Sequence, residues 1–193
     1  MKSTMTAVAV AAALGLAGGF AGAAQAADTN ALKAEAVGVV KSFGGPLKKA
    51  LGGAMKEGGP VNAISVCNEK APAIATKAMT DSGWSVGRTS LKLRNPSNAP
   101  DAWELNVLNL FERQKAAGQS PATLAFGEVV ETNGKKQFRF MKAIGTEAVC
   151  LHCHGKDIQP EVTAALDDLY PDDQARGFSE GDIRGAFTLI KDF

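Results

Sequence analysis

The segment "AVCLHCHGK", residues 148–156, contains both histidines of the chain and two of its three cysteines. Cys150 and Cys153 are spaced C-x-x-C, and His154 follows the second cysteine directly. This pattern is typical of c-type haem attachment. Two thiols on one helical turn can reach the two vinyl groups of a porphyrin, and the adjacent imidazole can then bind the iron. We therefore predict one covalent haem c, attached to Cys150 and Cys153, with His154 as an axial ligand.

The same side chains could serve two other kinds of site. Cys67, Cys150, Cys153 and His154 would make a Cys₃His zinc set, but structural zinc sites usually take their ligands as two close pairs. A redox dithiol also uses C-x-x-C, but such motifs open a helix after an early strand. Here the motif lies late in the chain, which favours haem. His152 lies inside the attachment loop, and we expect it to be a surface residue.

The first 26 residues have the pattern of a secretory signal peptide. Lys2 precedes an apolar stretch from about residue 7 to 23, and Ala24-Gln25-Ala26 resembles a cleavage site. We predict a cleaved segment, 1–26, and one haem domain, 27–193, exported most simply into a bacterial periplasm. No later segment has the roughly 18 apolar residues of a membrane span.

The charge balance excludes some classes of partner. Cleavage would remove one of 21 basic residues and none of the 20 acidic ones, so the mature charges would cancel. A neutral chain gives no support for nucleic-acid binding or a polybasic membrane anchor. The odd number of cysteines leaves Cys67 unpaired in an oxidising compartment, where it needs a role.

The second axial ligand stays open on the residues alone, because the chain has no third histidine. Methionine is usual in small cytochromes c. Methionine and free cysteine are also both common as buried residues of an apolar core. Pro72 lies in the predicted helix that carries Cys67 and should kink it, which could aim this thiol into a cavity. The candidates are a lysine, water, no ligand at all, or one of the side chains of Cys67, Met55, Met79 and Met141.

Helices dominate the first half of the chain. Residues 29–57 show apolar positions near the 3.6-residue period. Gly44-Gly45-Pro46 should kink or split this region, and Gly58-Gly59-Pro60 should end it before a new helix near Val61. Asp101 and Glu104 form a capping-box pattern that starts a helix from about 102 to 117.

After Pro121 the apolar residues recur at every second position, as in a β-strand. "LAFGEVVETNGKKQFRFMKAI" predicts a hairpin with a type I′ turn at Asn133-Gly134, and Phe138 and Phe140 share one face. "RGAFTLIKD" predicts a last strand. Helices followed by an antiparallel sheet indicate an α+β fold.

Four segments in this order carry a family resemblance: "AISVCNEKAPAIA", "VGRTSLKLRNPSNAPDAWE", "EVVETNGKKQFRFMKAIGTEAVCLHCHG" and "GDIRGAF". The chain from about residue 30 to 190 resembles the exported mono-haem c-type cytochromes with a PAS-like fold. The resemblance implies a PAS-like antiparallel β-sheet with N-terminal helices and a single c-type haem. It also implies iron bound by His154 and by a cysteine on the far side, and Cys67 is the matching position.

Haem carries two propionates that need partners or water. Arg88, Lys92 and Arg94 in "GRTSLKLR" are candidates, as is Arg139 opposite the phenylalanine face. The same four residues could equally belong to a charged surface in contact with water, because exposed charges usually contribute little.

These features lead to a functional expectation. We expect a sensor of redox state or of a diatomic gas such as CO or NO, acting through a redox partner or a membrane signalling protein. A thiolate ligand stabilises ferric iron, so the potential should be low. The alternative is a low-potential electron carrier. A haem enzyme is disfavoured because both axial positions would be filled and no distal histidine is available.

Overall fold

The computed structural model describes residues 19–132 and 134–193. Residues 1–18 of the predicted signal peptide lie outside this part of the chain, so its cleavage stays a prediction. In the described ranges, no helix has a stretch long and apolar enough to cross a membrane.

The N-terminal half is one long helical element, α1 (Gly19–Ser82), with a single break. Gly58 and Gly59 leave helical geometry, and Gly59 has φ 70° and ψ −163°. A left-handed φ costs glycine little, and Pro60 then suits the first turn of the next helical part. The predicted end at Gly58-Gly59-Pro60 is confirmed.

The predicted split at Gly44-Gly45-Pro46 is wrong, because the backbone stays helical there. Gly44 instead allows close packing, since a Cβ at this position would lie 2.9 Å from Cζ of Phe187 in the sheet. The packing of α1 on the sheet outweighs the one hydrogen bond that Pro46 removes. Pro72 also keeps helical dihedrals, so the expected kink does not break the helix.

The sheet has four antiparallel strands in the order β1-β4-β3-β2. Their bounds are Ser85–Thr89 for β1, Ala125–Thr132 for β2, Lys135–Gly145 for β3 and Ile183–Asp192 for β4. The predicted α+β fold with N-terminal helices is confirmed. The sequence prediction missed β1, because turn-forming residues surround it. Asn133 of the predicted hairpin turn lies outside the described residues, and Gly134 has φ 74°.

The two faces of the sheet pack against different helices. Phe138 and Phe140 share a face, as predicted, and join Phe43 of α1 and Trp84 in one core cluster. Met141 belongs to a second cluster on the other face. That cluster contains Val107, Leu108 and Phe111 of the helix α2 (Ala102–Ala116).

Asp101 and Glu104 cap α2 as predicted. The Glu104 N–H donates to Oδ1 of Asp101 over 2.9 Å, and the Asp101 N–H donates to Oε2 of Glu104 over 3.1 Å. The helix ends one residue before the predicted 117, at Ala116.

Two short helices connect β3 to β4. A 3₁₀ turn, Ala148–Cys150, leads into α3 (Leu151–His154), and α4 (Pro160–Leu169) follows. Val162 and Leu166 of α4 pack on Ile64 of α1, with Cys153 against the same cluster. This packing places the C-x-x-C-H turn beside the second part of α1.

Candidate haem site

A cavity of about 440 Å³ lies between α1, β1 and the C-x-x-C-H turn. Its volume is within the ~300–1,000 Å³ typical of ligand and cofactor pockets. The lining includes Cys67 from α1, Cys150 and Cys153 from the attachment turn, and His154 from α3. The fold therefore brings together all four residues predicted to bind haem or its iron, although one is more than 80 positions away from the others.

Cys67 lies on the α1 wall of the cavity with Asn68 and Pro72. It is half-buried and, like Cys150 and Cys153, is a free thiol. Burial raises the pKa of the Cys67 thiol, and the positive charges of Arg88 and Arg94 act in the opposite direction. Cys67 is thus a soft sulfur donor for which burial favours the thiol and the two arginines favour the thiolate.

His154 reaches the cavity from the end of α3. Its Nδ1 lies 2.7 Å from the carbonyl oxygen of Ala175, and we assign the proton to Nδ1, which donates to that oxygen. This tautomer leaves the lone pair on Nε2, the atom that a metal would bind and that Nε of Arg184 approaches to 3.3 Å in this structure. Burial lowers the pKa of His154 to about 3, with further lowering from Arg184 and Arg94. The imidazole is therefore neutral at physiological pH, which iron ligation requires.

Cys150 and Cys153 lie on the turn that leads to His154, and both are half-buried. Burial raises the pKa of the Cys153 thiol. Gly155 follows at a point with no space for a side chain, because a Cβ would lie 2.5 Å from the carbonyl oxygen of Leu151. The short helix can end there and return the chain towards α4.

Arg88 lines the cavity from β1. It lies two positions after Val86, so the two side chains share the strand face that turns to α1. No hydrogen bond or ion pair joins Arg88 to another described residue. Burial among the surrounding protein atoms lowers the pKa of Arg88. Its side chain still has solvent-accessible surface, and it lines the cavity. An unpartnered guanidinium in this position suits a haem propionate.

Arg94 also lines the cavity, but protein groups already use most of its donors. Its Nε lies 3.2 Å from Oδ1 of Asp173, and its Nη2 donates to the carbonyl oxygen of Cys153. Nη1 is 3.4 Å from Nε2 of His154. Arg94 therefore mainly holds the attachment turn in place. Few of its donors are left for a haem propionate.

Arg184 is a cavity residue that the sequence reasoning missed. Its Nε lies 3.1 Å from Nδ1 and 3.3 Å from Nε2 of His154. Its Nη1 donates to Oγ of Ser90 over 3.0 Å. Burial lowers the pKa of Arg184 to about 10, so it stays charged at neutral pH. The available signal was a cation near the start of β4, in the mostly apolar segment "IRGAFTLI".

Two of the predicted propionate contacts do not line this cavity. Nζ of Lys92 lies 5.2 Å from the ring centroid of Phe178, beside a separate cavity of about 120 Å³. Arg139 forms an ion pair of 2.7 Å with Asp101 and lies 4.5 Å from the ring centroid of Trp103. Because Arg139 alternates with Phe138 and Phe140, it faces α2 on the other side of the sheet.

The structure also sorts the remaining candidate ligands. Met55 lines the cavity, whereas Met141 is fully buried against α2 and Met79 is on the surface. His152 is exposed, and its Nδ1 lies 3.2 Å from the carbonyl oxygen of Val149. Met55 is thus the one methionine among the three candidates that shares the cavity with Cys67.

The donors are spread around the cavity walls. In the described part of the chain, no group of three or more His, Cys, Asp and Glu side chains is arranged to hold a metal ion directly. Cys150, Cys153 and His154 lie on one turn, and Cys67 lies on the α1 wall. Together with the unpartnered Arg88 in the same lining, these donors fit a large planar cofactor with carboxylates better than a single ion.

Comparisons with known proteins agree with this geometry. The chain matches the family described as Tll0287-like over residues 20–191. A solved structure titled "Crystal structure of the cyanobacterial heme-protein Tll0287" superposes with a TM-score of 0.61 at 26% identity. The match covers 82% of this chain and 95% of that chain. No curated protein matches the sequence.

Proposed function

This chain belongs to the Tll0287-like family, and we propose that it is a periplasmic c-type haem protein that senses redox state or a diatomic gas. The observation that carries the proposal is the single cavity lined by Cys67, Cys150, Cys153 and His154. The family match and the relative described as a heme-protein support haem as the cofactor. The predicted signal peptide supports export.

Each cavity residue has a distinct role in this proposal. Cys150 and Cys153 attach the haem through thioethers, and His154 offers Nε2 to the iron while Ala175 holds its Nδ1 proton. Cys67 would bind the iron as its second protein ligand, and Arg88 would pair with a propionate. When bound, haem supplies a one-electron couple and a position for CO or NO whenever an axial ligand leaves.

Sensing requires an element with two arrangements. Cys67 is on the second part of α1, eight positions after the break at Gly59. A break of this kind lets one helical part move relative to the other, since a few residues can absorb the dihedral change. Withdrawal of Cys67 from the cavity would move this second part of α1 about Gly58-Gly59 and loosen the packing of Ile64 on α4. A redox partner or a membrane signalling protein would read this change.

A low-potential electron carrier is the second candidate. The dense hydrogen bonding around His154 favours it, because a rigid ligand set needs little rearrangement when the electron arrives. Catalysis is not part of the proposal. Both axial positions are assigned to protein ligands, and His152, the other histidine, does not line the cavity.

The test is spectroscopic. The purified protein should give a pyridine haemochrome spectrum of the c type with one haem per chain, and a low-spin thiolate-ligated spectrum when oxidised. Displacement of Cys67 by CO or NO in the reduced protein supports sensing. Cycling of the electron with no ligand change supports electron transfer. Zinc in place of iron, or no bound haem, overturns the haem assignment.

A further inference from the structure

Asp173 is a buried carboxylate outside the cavity, on the loop between α4 and β4. Its side chain is 1% exposed and accepts four hydrogen bonds. Oδ1 accepts from the Ala175 N–H over 2.9 Å and from Nε of Arg94 over 3.2 Å. Oδ2 accepts from Nε of Arg176 over 2.8 Å and from Nη2 of Arg94 over 3.2 Å. Both oxygens are therefore fully used by two cations and one backbone N–H.

These bonds connect Asp173 to both sides of His154. Arg94 donates to the carbonyl oxygen of Cys153, which directly precedes the histidine. Ala175, whose N–H Asp173 binds, accepts the Nδ1 proton of His154 through its own carbonyl. One carboxylate thus places both the backbone before the histidine and the acceptor of its ring proton.

The loop is also joined to the attachment turn by the backbone. The Phe178 N–H donates to the His154 carbonyl and the Gly177 N–H to the Gly155 carbonyl, each over 2.9 Å. These bonds fix the distance between the two segments. Neither bond involves Ala175, whose N–H donates to Oδ1 of Asp173 over 2.9 Å and whose carbonyl oxygen accepts from Nη2 of Arg94 over 3.4 Å.

We propose that Asp173 is a positioning residue for His154, fixing the ring orientation and the Nδ1 hydrogen bond through Arg94 and the Ala175 backbone. The proposal rests on the proposed haem function, in which Nε2 binds iron. A hydrogen bond that holds Nδ1–H makes the imidazole a stronger electron donor and sets its orientation. Such a histidine favours the more positive oxidation state of the metal, so the network lowers the reduction potential.

Asp173→Asn tests this role, because it keeps the size of the side chain and removes its charge. Asp167→Asn is the matched control. Asp167 forms an ion pair with the same Arg176, but its side chain is 62% exposed and it makes no hydrogen bond to Arg94 or Ala175, the two residues that join Asp173 to His154. Both variants remove one negative charge beside Arg176, and only the first also removes the charge that pairs with Arg94 and accepts the Ala175 N–H.

The measurements are made on the protein as isolated. NMR should show that the His154 Nδ1 proton exchanges with solvent about tenfold faster in D173N, as expected for the loss of one hydrogen bond. The reduction potential should rise in D173N. Both values in D167N should equal those of the wild type. A wild-type proton exchange rate in D173N, or equal changes in the two variants, would overturn the proposal.

Two further measurements separate the alternatives. The pyridine haemochrome assay reports haem content, so the absence of haem from wild-type protein counts against the proposed function, and the Nδ1 exchange rate still tests the positioning. If D173N does not fold, Arg176→Gln removes one donor to Asp173 from a partly exposed position. A smaller shift of the same sign in R176Q supports the role, and wild-type behaviour contradicts it.

Discussion

The guanidinium of Arg184 lies 3.1 Å from Nδ1 of His154, so a permanent cation touches the imidazole that is expected to bind iron. Burial lowers the pKa of His154 most, and the charge of Arg184 lowers it further. Together they keep the ring neutral, and a neutral ring retains the Nε2 lone pair that ligation needs. The relationship leads to a prediction about pH.

Arg184→Gln should weaken the pH dependence of stability on the acid side. The pKa of His154 is about 3 in the folded chain, below its ordinary value of about 6.5. Below pH ~6.5 His154 therefore binds a proton in the unfolded chain but not in the folded chain. The free energy of unfolding then falls as the pH falls towards 3. Without Arg184 the folded pKa rises towards its ordinary value, so this fall becomes shallower. Urea unfolding of haem-free wild type and variant between pH 8 and 4 measures how steeply the free energy of unfolding falls. Parallel curves for the two proteins would contradict the prediction.

Cys67→Ala should change the axial ligation of the haem. Loss of a thiolate removes negative charge from the iron, which favours the ferrous state. Axial ligands set haem potentials over about 0.8 V, so we expect a rise on the order of 0.1 V or more. Electronic spectra and potentiometry measure the effect. Met55→Leu is the matched control, since Met55 shares the cavity. An unchanged spectrum in C67A would exclude Cys67 as the ligand.

The double variant Cys150→Ala, Cys153→Ala should lose covalent haem. Each thiol supplies one thioether, so acid–acetone extraction should remove all haem from the double variant and none from the wild type. His152→Ala, inside the same motif, should keep both the haem and the wild-type spectrum, because His152 is exposed. Haem that resists extraction from the double variant would show that attachment lies elsewhere.

Arg88→Gln should alter the haem carboxylates, whereas Lys92→Gln should not. Arg88 lines the cavity with no hydrogen-bonding partner among the described residues, and Lys92 lies outside it. We expect a shift of the propionate bending bands in resonance Raman spectra and lower haem content in R88Q. Equal spectra for R88Q and wild type would remove Arg88 from the site.

Arg139→Gln should destabilise the fold and leave the haem unchanged. The side chain of Arg139 is 10% exposed and pairs with Asp101 and Glu104, the capping residues of α2. Removing one member of a buried ion pair costs about 3–5 kcal/mol, and the half-exposed Asp101 reduces this to roughly 2–3 kcal/mol. Urea unfolding measures the loss, and the haem spectrum serves as the control. A changed spectrum would place Arg139 in the haem environment after all.

Local signals predicted most of the elements correctly. The cap at Asp101, the break at Gly58-Gly59 and the β2–β3 hairpin depend on neighbours a few residues apart, so the sequence pattern contains them. β1 was missed because its five residues carry no alternation strong enough to stand out from the surrounding turns. It becomes a strand only because β4 supplies its hydrogen-bonding partner.

The sequence by itself determined the attachment turn. C-x-x-C-H places two thiols and an imidazole on one helical turn, and that spacing needs no distant contact. The tertiary structure decided which cations meet the cavity. Arg88 and Arg184 line it, whereas Arg139 faces α2, because each strand sends alternate side chains to opposite faces and the packing of α1 and α2 decides what each face contacts. Asp173 could be found only in three dimensions, since its partner Arg94 is 79 positions away along the chain.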